Sequence, residues 1–165
     1  MNATRNACTC SLKVNGALFR KDVPPTVILL DLLRECLGLT SVTQGCDHGH
    51  CGACTVLLDG VPVQSCLVLA ISVPDAEVVT AEAFFPPGSG LLHHIRQRLL
   101  TAAGPQVCSA CLPARLLCLL AQATDGQPPS PAEIEAFIHA SPCLCGGQAR
   151  EEPVSMSRSR HEGVA

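Results

Sequence analysis

The chain has 165 residues, with eleven Lys and Arg against fourteen Asp and Glu and a formal net charge of −3. It therefore has no basic field to attract phosphate backbones, and with four Phe and neither Trp nor Tyr it has no aromatic platform for stacking bases, which argues against nucleic acid as a partner. Its longest apolar runs, Val27 to Leu30 and Leu116 to Ala121, are far short of a bilayer span, and Met1 to Lys13 carries no export signal, so no membrane insertion and a cytoplasmic location are expected.

Residues 10–20 read as a strand pair in which Leu12 and Val14 lead into a tight Asn15-Gly16 turn, with Leu18 and Arg20 beyond it and Pro24-Pro25 as the stop. From Thr26 to Leu37, Leu29, Leu30, Leu32, Leu33 and Leu37 recur at helical spacing, which predicts an amphipathic helix with Thr26 as N-cap and Gly38 at its end. Gly45 to Cys54 follows neither period and reads as a loop. Thr55-Val56-Leu57-Leu58 is then a strand, Asp59-Gly60 a turn, and Val61 to Ile71 a further strand that carries Cys66, while Val78-Val79 closes the sheet. Two hairpins around one helix suggest a β-grasp arrangement.

Beyond Phe85 the pattern changes. Pro86-Pro87-Gly88 reads as a linker, and helical spacing follows in Leu91, Leu92, Ile95, Leu99 and Leu100 and again in Leu112, Leu116, Leu119 and Leu120. Ser130-Pro131-Ala132-Glu133 combines a capping box with proline at the first helical position and opens a third helix with Ile134, Phe137 and Ile138. The fold class is thus α+β: an N-terminal β-grasp domain over 8–83, a small helical bundle over 84–150 and a polar tail over 151–165. A domain of roughly 70 residues buries only about 60% of its unfolded surface, so bound metal would help to stabilise each half.

Eight of the twelve cysteines carry the chemistry. Cys46, Cys51, Cys54 and Cys66 form a C-x4-C-x2-C-x11-C run whose first three members have plant-type [2Fe–2S] spacing, and Cys108, Cys111, Cys143 and Cys145 form C-x2-C-x31-C-x-C. A core of two ferric irons and two sulfides held by four thiolates is anionic and becomes more so on reduction. Backbone N–H groups aimed at sulfur offset that charge, and Gly45, Gly49 and Gly52 interleave with the first set as such a loop needs, with the Thr55 hydroxyl a further candidate donor. The second set is placed at helix ends, where the N–H groups and dipole of a helix beginning at Cys111 favour anionic sulfur. Spacing alone leaves structural zinc open for the second set. His48 and His50 fall inside the first loop, but four cysteines saturate that site without them. Cys36 and Cys118 read as small core residues on helices, and Cys8 and Cys10 as residues of a frayed end.

The run Gly45-Cys46-Asp47-His48-Gly49-His50-Cys51-Gly52-Ala53-Cys54-Thr55-Val56-Leu57-Leu58-Asp59-Gly60, with Val63 and Ser65-Cys66-Leu67 after it, resembles the small iron–sulfur subunit of the xanthine oxidase family of molybdenum hydroxylases. The likeness extends from about Thr9 to Arg150, through Asn15-Gly16, Leu30-Asp31-Leu32-Leu33-Arg34-Glu35 and the second cysteine set. It implies a ferredoxin-like domain and a helical domain with one [2Fe–2S] cluster each, and no bond-making chemistry in this chain. It further implies a large partner subunit with the molybdopterin cofactor and a medium FAD subunit. Electrons would enter at Cys108, Cys111, Cys143 and Cys145 and leave at Cys46, Cys51, Cys54 and Cys66. The departures lie in the second half: Val107 precedes Cys108, Ser109 follows it, Ala114 follows Pro113, and Leu144 separates Cys143 from Cys145. Gln106, one position removed from the family's glutamine, is the candidate for a pterin-side contact. A freestanding two-cluster ferredoxin and a zinc-stabilised interaction module are the rival readings.

Overall fold

The computed structural model describes residues 7–46, 48–84, 90–103, 108–123 and 127–141. Strands β1 (Cys8–Val14) and β2 (Ala17–Val23) form an antiparallel hairpin, and β3 (Thr55–Leu58) and β4 (Val61–Gln64) form a second. Both turn on a pair of residues with positive φ, Asn15-Gly16 and Asp59-Gly60, the geometry that matches the right-handed twist of the flanking strands. Strand β5 (Glu77–Val79) lies between the hairpins, parallel to β1 and antiparallel to β3, so the sheet order is β2-β1-β5-β3-β4. With one helix over it, this mixed sheet has the expected ferredoxin-like α+β arrangement.

That helix is shorter than its leucine spacing predicts. Helix α1 is a single α-helical turn, Leu29–Asp31, that runs directly into a π-helical turn, Leu32–Cys36. Thr26 is not its N-cap; Ile28 is, in an extended conformation. The cause is tertiary pairing: Ile28 bridges Leu69, the Leu29 N–H donates to the Val68 carbonyl and the Ala70 N–H to the Val27 carbonyl, so Val27 and Ile28 are held extended. Gly38, at φ +68, ends the helix as expected. Leu29, Leu30, Leu32 and Leu33 are all fully buried, together with Leu12, Val56 and Val78 from the sheet.

The chain from Val61 to Ile71 is likewise not one strand. After Gln64 it turns into 3-10 helix at Ser65–Leu67 and again at Ala70–Ser72, which places Cys66 on a turn. Ser65 causes the bend: its buried N–H and hydroxyl both donate to the Cys54 carbonyl, at 3.3 and 2.7 Å.

Helices α2 (Leu91–Ala103), α3 (Leu112–Ala121) and α4 (Pro131–Ala140) share a second core of Ile95, Leu99, Leu116, Leu119 and Ile134. The capping box at Ser130 and Glu133 is present, with both reciprocal hydrogen bonds. Helix α3 also packs against β3 and β4. The pleat explains why β3 is apolar along its length: Val56 and Leu58 join the core under α1, while Thr55 and Leu57, both buried, point to the opposite face, where α3 lies. The 86–88 linker and the 151–165 tail lie outside the described residues, in which no helix is long and apolar enough to cross a membrane.

Because Leu32 is fully buried in the core under the sheet, Leu32→Ala should destabilise the protein by about 2–5 kcal/mol. Urea unfolding followed by circular dichroism should show this as a lower midpoint at unchanged slope.

Candidate metal centre

The loop from Leu39 to Cys54 starts where Gly38 stops α1 and ends where β3 begins, and both ends are anchored. The Arg34 guanidinium donates to the Val42 carbonyl, the Thr43 N–H to the Ala53 carbonyl, and the Ser41 N–H and hydroxyl to the Glu82 carboxylate. Between these anchors the loop brings Cys46, Cys51 and Cys54 toward Cys66, which the Ser65 turn delivers from the end of β4.

The four sulfurs interact as two linked pairs. Cys46 and Cys51 are hydrogen-bonded through their side chains, as are Cys54 and Cys66, and Cys66 also feels the charge of Cys46. Backbone donors surround them. The N–H groups of His50 and Cys51 each approach the Cys46 Sγ at 3.3 Å, and that of His48 is directed to it as well. Gly45 and Ala53 donate to Cys51, and Gly49 to Cys66. The His48 N–H, followed by that of Cys51, holds the Cys46 thiol well below its ordinary range, at about 6. Burial, followed by the neighbouring Cys54, pushes Cys66 up to about 11. Cys51 is raised too, first by burial, despite its backbone donors.

The sequence-derived candidates can now be located. Gly49, at φ +72, is the glycine the loop cannot replace: an added Cβ would lie 2.5 Å from the Leu67 side chain, in a backbone conformation that L residues rarely adopt. A Cβ at Gly45 would lie 2.9 Å from the Cys51 Sγ. Gly52 is also at positive φ and accepts, through its carbonyl, the Thr55 hydroxyl at 2.7 Å. Thr55 therefore gives its proton to backbone rather than to a cluster sulfur, and its oxygen lies against Cys118 of α3. His48 and His50 are exposed, with rings stacked at 6.1 Å, and reach Cys46 through their backbones.

Of the second set, Cys108 and Cys111 are described. They form a turn in which the Cys111 and Leu112 N–H groups donate to the Cys108 carbonyl, and Cys111 is the N-cap of α3, as its placement at a helix start requires. Cys111 is buried and Cys108 half-buried. Cys143, Cys145 and Gln106 lie outside the described residues. The chain leading to Cys143 is nevertheless drawn toward Cys111: Arg115, one helical turn after Cys111 and only 7% exposed, donates to the carbonyl of Ser141 at the end of α4. Sequence reasoning did not single out Arg115, although an arginine amid the leucines of a buried helix is a signal in itself.

Two of the remaining cysteines differ from expectation. Cys10 is a core residue of β1 whose thiol donates to the Ala70 carbonyl, whereas Cys36 is exposed, with the Lys21 ammonium 3.7 Å from its sulfur.

The loop fits an iron–sulfur core in its donor chemistry. A mononuclear zinc ion asks four donors to meet at one point, while a two-iron core asks for two thiolates on each iron. The four thiols stand as two pairs amid N–H groups that favour anionic sulfur.

In the metal-free chain Cys46 should be the thiol that alkylates first. Its reaction with iodoacetamide should rise as pH climbs through about 6 and level off above it, whereas Cys66 should stay unreactive until pH approaches about 11. Peptide mapping by mass spectrometry across a pH series checks both.

Comparison with known proteins places these features in company. A family model described as a 2Fe-2S iron-sulfur cluster binding domain matches residues 12–81. The chain is 36% identical over 142 residues to the nicotinate dehydrogenase small FeS subunit of Eubacterium barkeri, covering 86% of this chain and 88% of that one. Among solved structures, quinoline 2-oxidoreductase from Pseudomonas putida aligns with a TM-score of 0.70 at 29% identity, over 86% of each chain. The aldehyde oxidoreductase of Desulfovibrio desulfuricans aligns with a TM-score of 0.64 at 34% identity over 81% of this chain, which spans only 14% of that much longer polypeptide.

Proposed function

Because the chain belongs to the small iron–sulfur subunits of the xanthine oxidase family of molybdenum hydroxylases, we propose that Cys46, Cys51, Cys54 and Cys66 hold one [2Fe–2S] cluster and Cys108, Cys111, Cys143 and Cys145 a second. The chain is an electron-transfer subunit of an oxidoreductase complex and does not itself carry the bond-making site. The observation that carries this reading is the pairing of four thiols from the two flanks of the β3–β4 hairpin inside a shell of backbone N–H donors. When bound, each cluster takes up and returns a single electron.

The chain's own residues supply position, insulation and direction. Cys54 and Cys66 are buried, and Cys54 immediately precedes Thr55, whose side chain lies against α3, the helix that Cys111 caps. Cys46 and Cys51 are half-buried, beside exposed His48 and His50. The first thiol set thus has an inner pair in the core under α1 and an outer pair near the surface. The surface position of the outer pair supports exit there, toward a medium FAD subunit, and the place of Cys111 at the start of α3 supports entry on the helical side, from a molybdopterin-binding large subunit. In this reading residues 8–83 form the ferredoxin domain, 84–150 a helical bundle domain whose shared apolar core supports it, and the complex works in the cytoplasm, where thiols stay reduced. Gln106 is assigned to the pterin side. The substrate class is a small N-heteroaromatic or aldehyde, in keeping with the names of the relatives.

Anaerobic purification of the complex, followed by metal analysis and EPR after dithionite, tests the proposal. Iron at about four per copy of this chain and two distinct [2Fe–2S] signals are expected. Cys54→Ser should remove one signal and about half the iron while leaving the other signal in place. Zinc in place of iron, or a single signal in the wild type, would overturn the two-cluster assignment.

A further inference from the structure

Glu82 is 36 residues beyond Cys46 in sequence, yet its carboxylate is where three parts of the molecule are joined. One oxygen accepts the Ser41 N–H at 2.7 Å; the other accepts the Ser41 hydroxyl and, at 2.6 Å, the Thr80 hydroxyl. Thr80, fully buried at the end of β5, is tied in turn to the β1–β2 turn: its N–H donates to the Asn15 side-chain oxygen at 2.8 Å, and its hydroxyl accepts from the Asn15 amide at 2.9 Å. Glu82 itself belongs to the 3-10 turn Ala81–Phe84, which packs against α3. Ser41 opens the stem of the thiol-bearing loop, and the next two residues carry the other fastenings, Val42 to Arg34 and Thr43 to Ala53.

We infer that Glu82 is a positioning residue for the first cluster: it clamps the stem of the 39–54 loop to the turn that rests on α3, and so sets where the inner thiol pair lies relative to the helical half. This rests on the reading of Cys46, Cys51, Cys54 and Cys66 as cluster ligands. The chemistry favours a carboxylate at this point. Three donors converge on two oxygens, and an ionised carboxylate, which only accepts, satisfies all of them without reorientation. Burial pushes the Glu82 carboxyl up, but the bonds from Ser41 and Thr80 pull it below the ordinary carboxylate range, so it is ionised at neutral pH. A loop released from this clamp keeps its four thiols but not their fixed separation from α3.

The test uses the full chain, reconstituted anaerobically with iron and sulfide. In Glu82→Ala, loss of the cluster on the first thiol set to a ferrous chelator should be about tenfold faster or more, the equivalent of losing one or two net hydrogen bonds. The EPR signal of that cluster should broaden or shift, and the signal of the helical half should keep its line shape and its rate of loss. Ser41→Ala, which retains the N–H bond, should give a smaller acceleration of the same selective kind, and Glu82→Gln, which keeps one acceptor oxygen, should restore most of the wild-type rate. Circular dichroism reports folding in each variant, and if Glu82→Ala fails to fold, Ser41→Ala alone decides. Rates unchanged from wild type, or loss of both signals in parallel, would overturn the clamp. Wild-type protein that takes up no cluster would instead overturn the underlying ligand assignment and the clamp with it.

Discussion

Four sulfur atoms approach one another in this chain because the segment between Gly38 and Thr55 has no regular structure of its own and is fastened at both ends. Sulfurs brought together in this way repel once ionised, and only donors already in place can offset that repulsion. The backbone N–H groups of Gly45, His48, Gly49, His50, Cys51 and Ala53 take that role, and they can do so only because they are excused from helix and sheet bonding. The rest of the ferredoxin half serves this arrangement. Helix α1 stops where the loop must begin, β3 starts where it must end, and the Ser65 turn brings in the fourth thiol from another part of the chain.

The halves of the molecule meet through α3, which has little solvent-facing surface: Leu116 and Leu119 face α2 and α4, and its other side covers β3 and β4. A helix buried on both sides holds its ends firmly, and one of those ends is Cys111. The buried Arg115 extends the same rigidity to the end of α4 through the Ser141 carbonyl.

What could be read from the residues follows a pattern. Asn15-Gly16 and Asp59-Gly60 announce their turns because few residue pairs tolerate two successive positive φ values, and the Ser130 capping box announces a helix start because its donors and acceptors lie within four residues. The cysteine spacings announced which thiols belong together in the first loop for the same reason. Where the deciding contact was distant in sequence, local reading failed. Thr26 has the chemistry of an N-cap, but strand-like pairing with Val68 to Ala70 delayed the helix to Leu29. Cys66 lies on a turn because Ser65 bonds to Cys54, which nothing local reveals, and Cys10 is a core residue and not part of a frayed end because β1 runs through the interior of the sheet. The Glu82 junction is hidden for the same reason, since its partner Ser41 lies 41 residues earlier.

The placement of β5 has a consequence for the order in which the molecule is built. Among the described residues, its three residues are the sole strand joining the N-terminal hairpin to the hairpin of β3 and β4. A ribosome synthesising the chain has already released all four sulfurs of the first set by the time Glu77 to Val79 appear, so these sulfurs precede the strand that closes the sheet. Closure of the scaffold around these four thiols is thus tied to late, non-local strand pairing, the slowest kind of contact for a growing polypeptide to form.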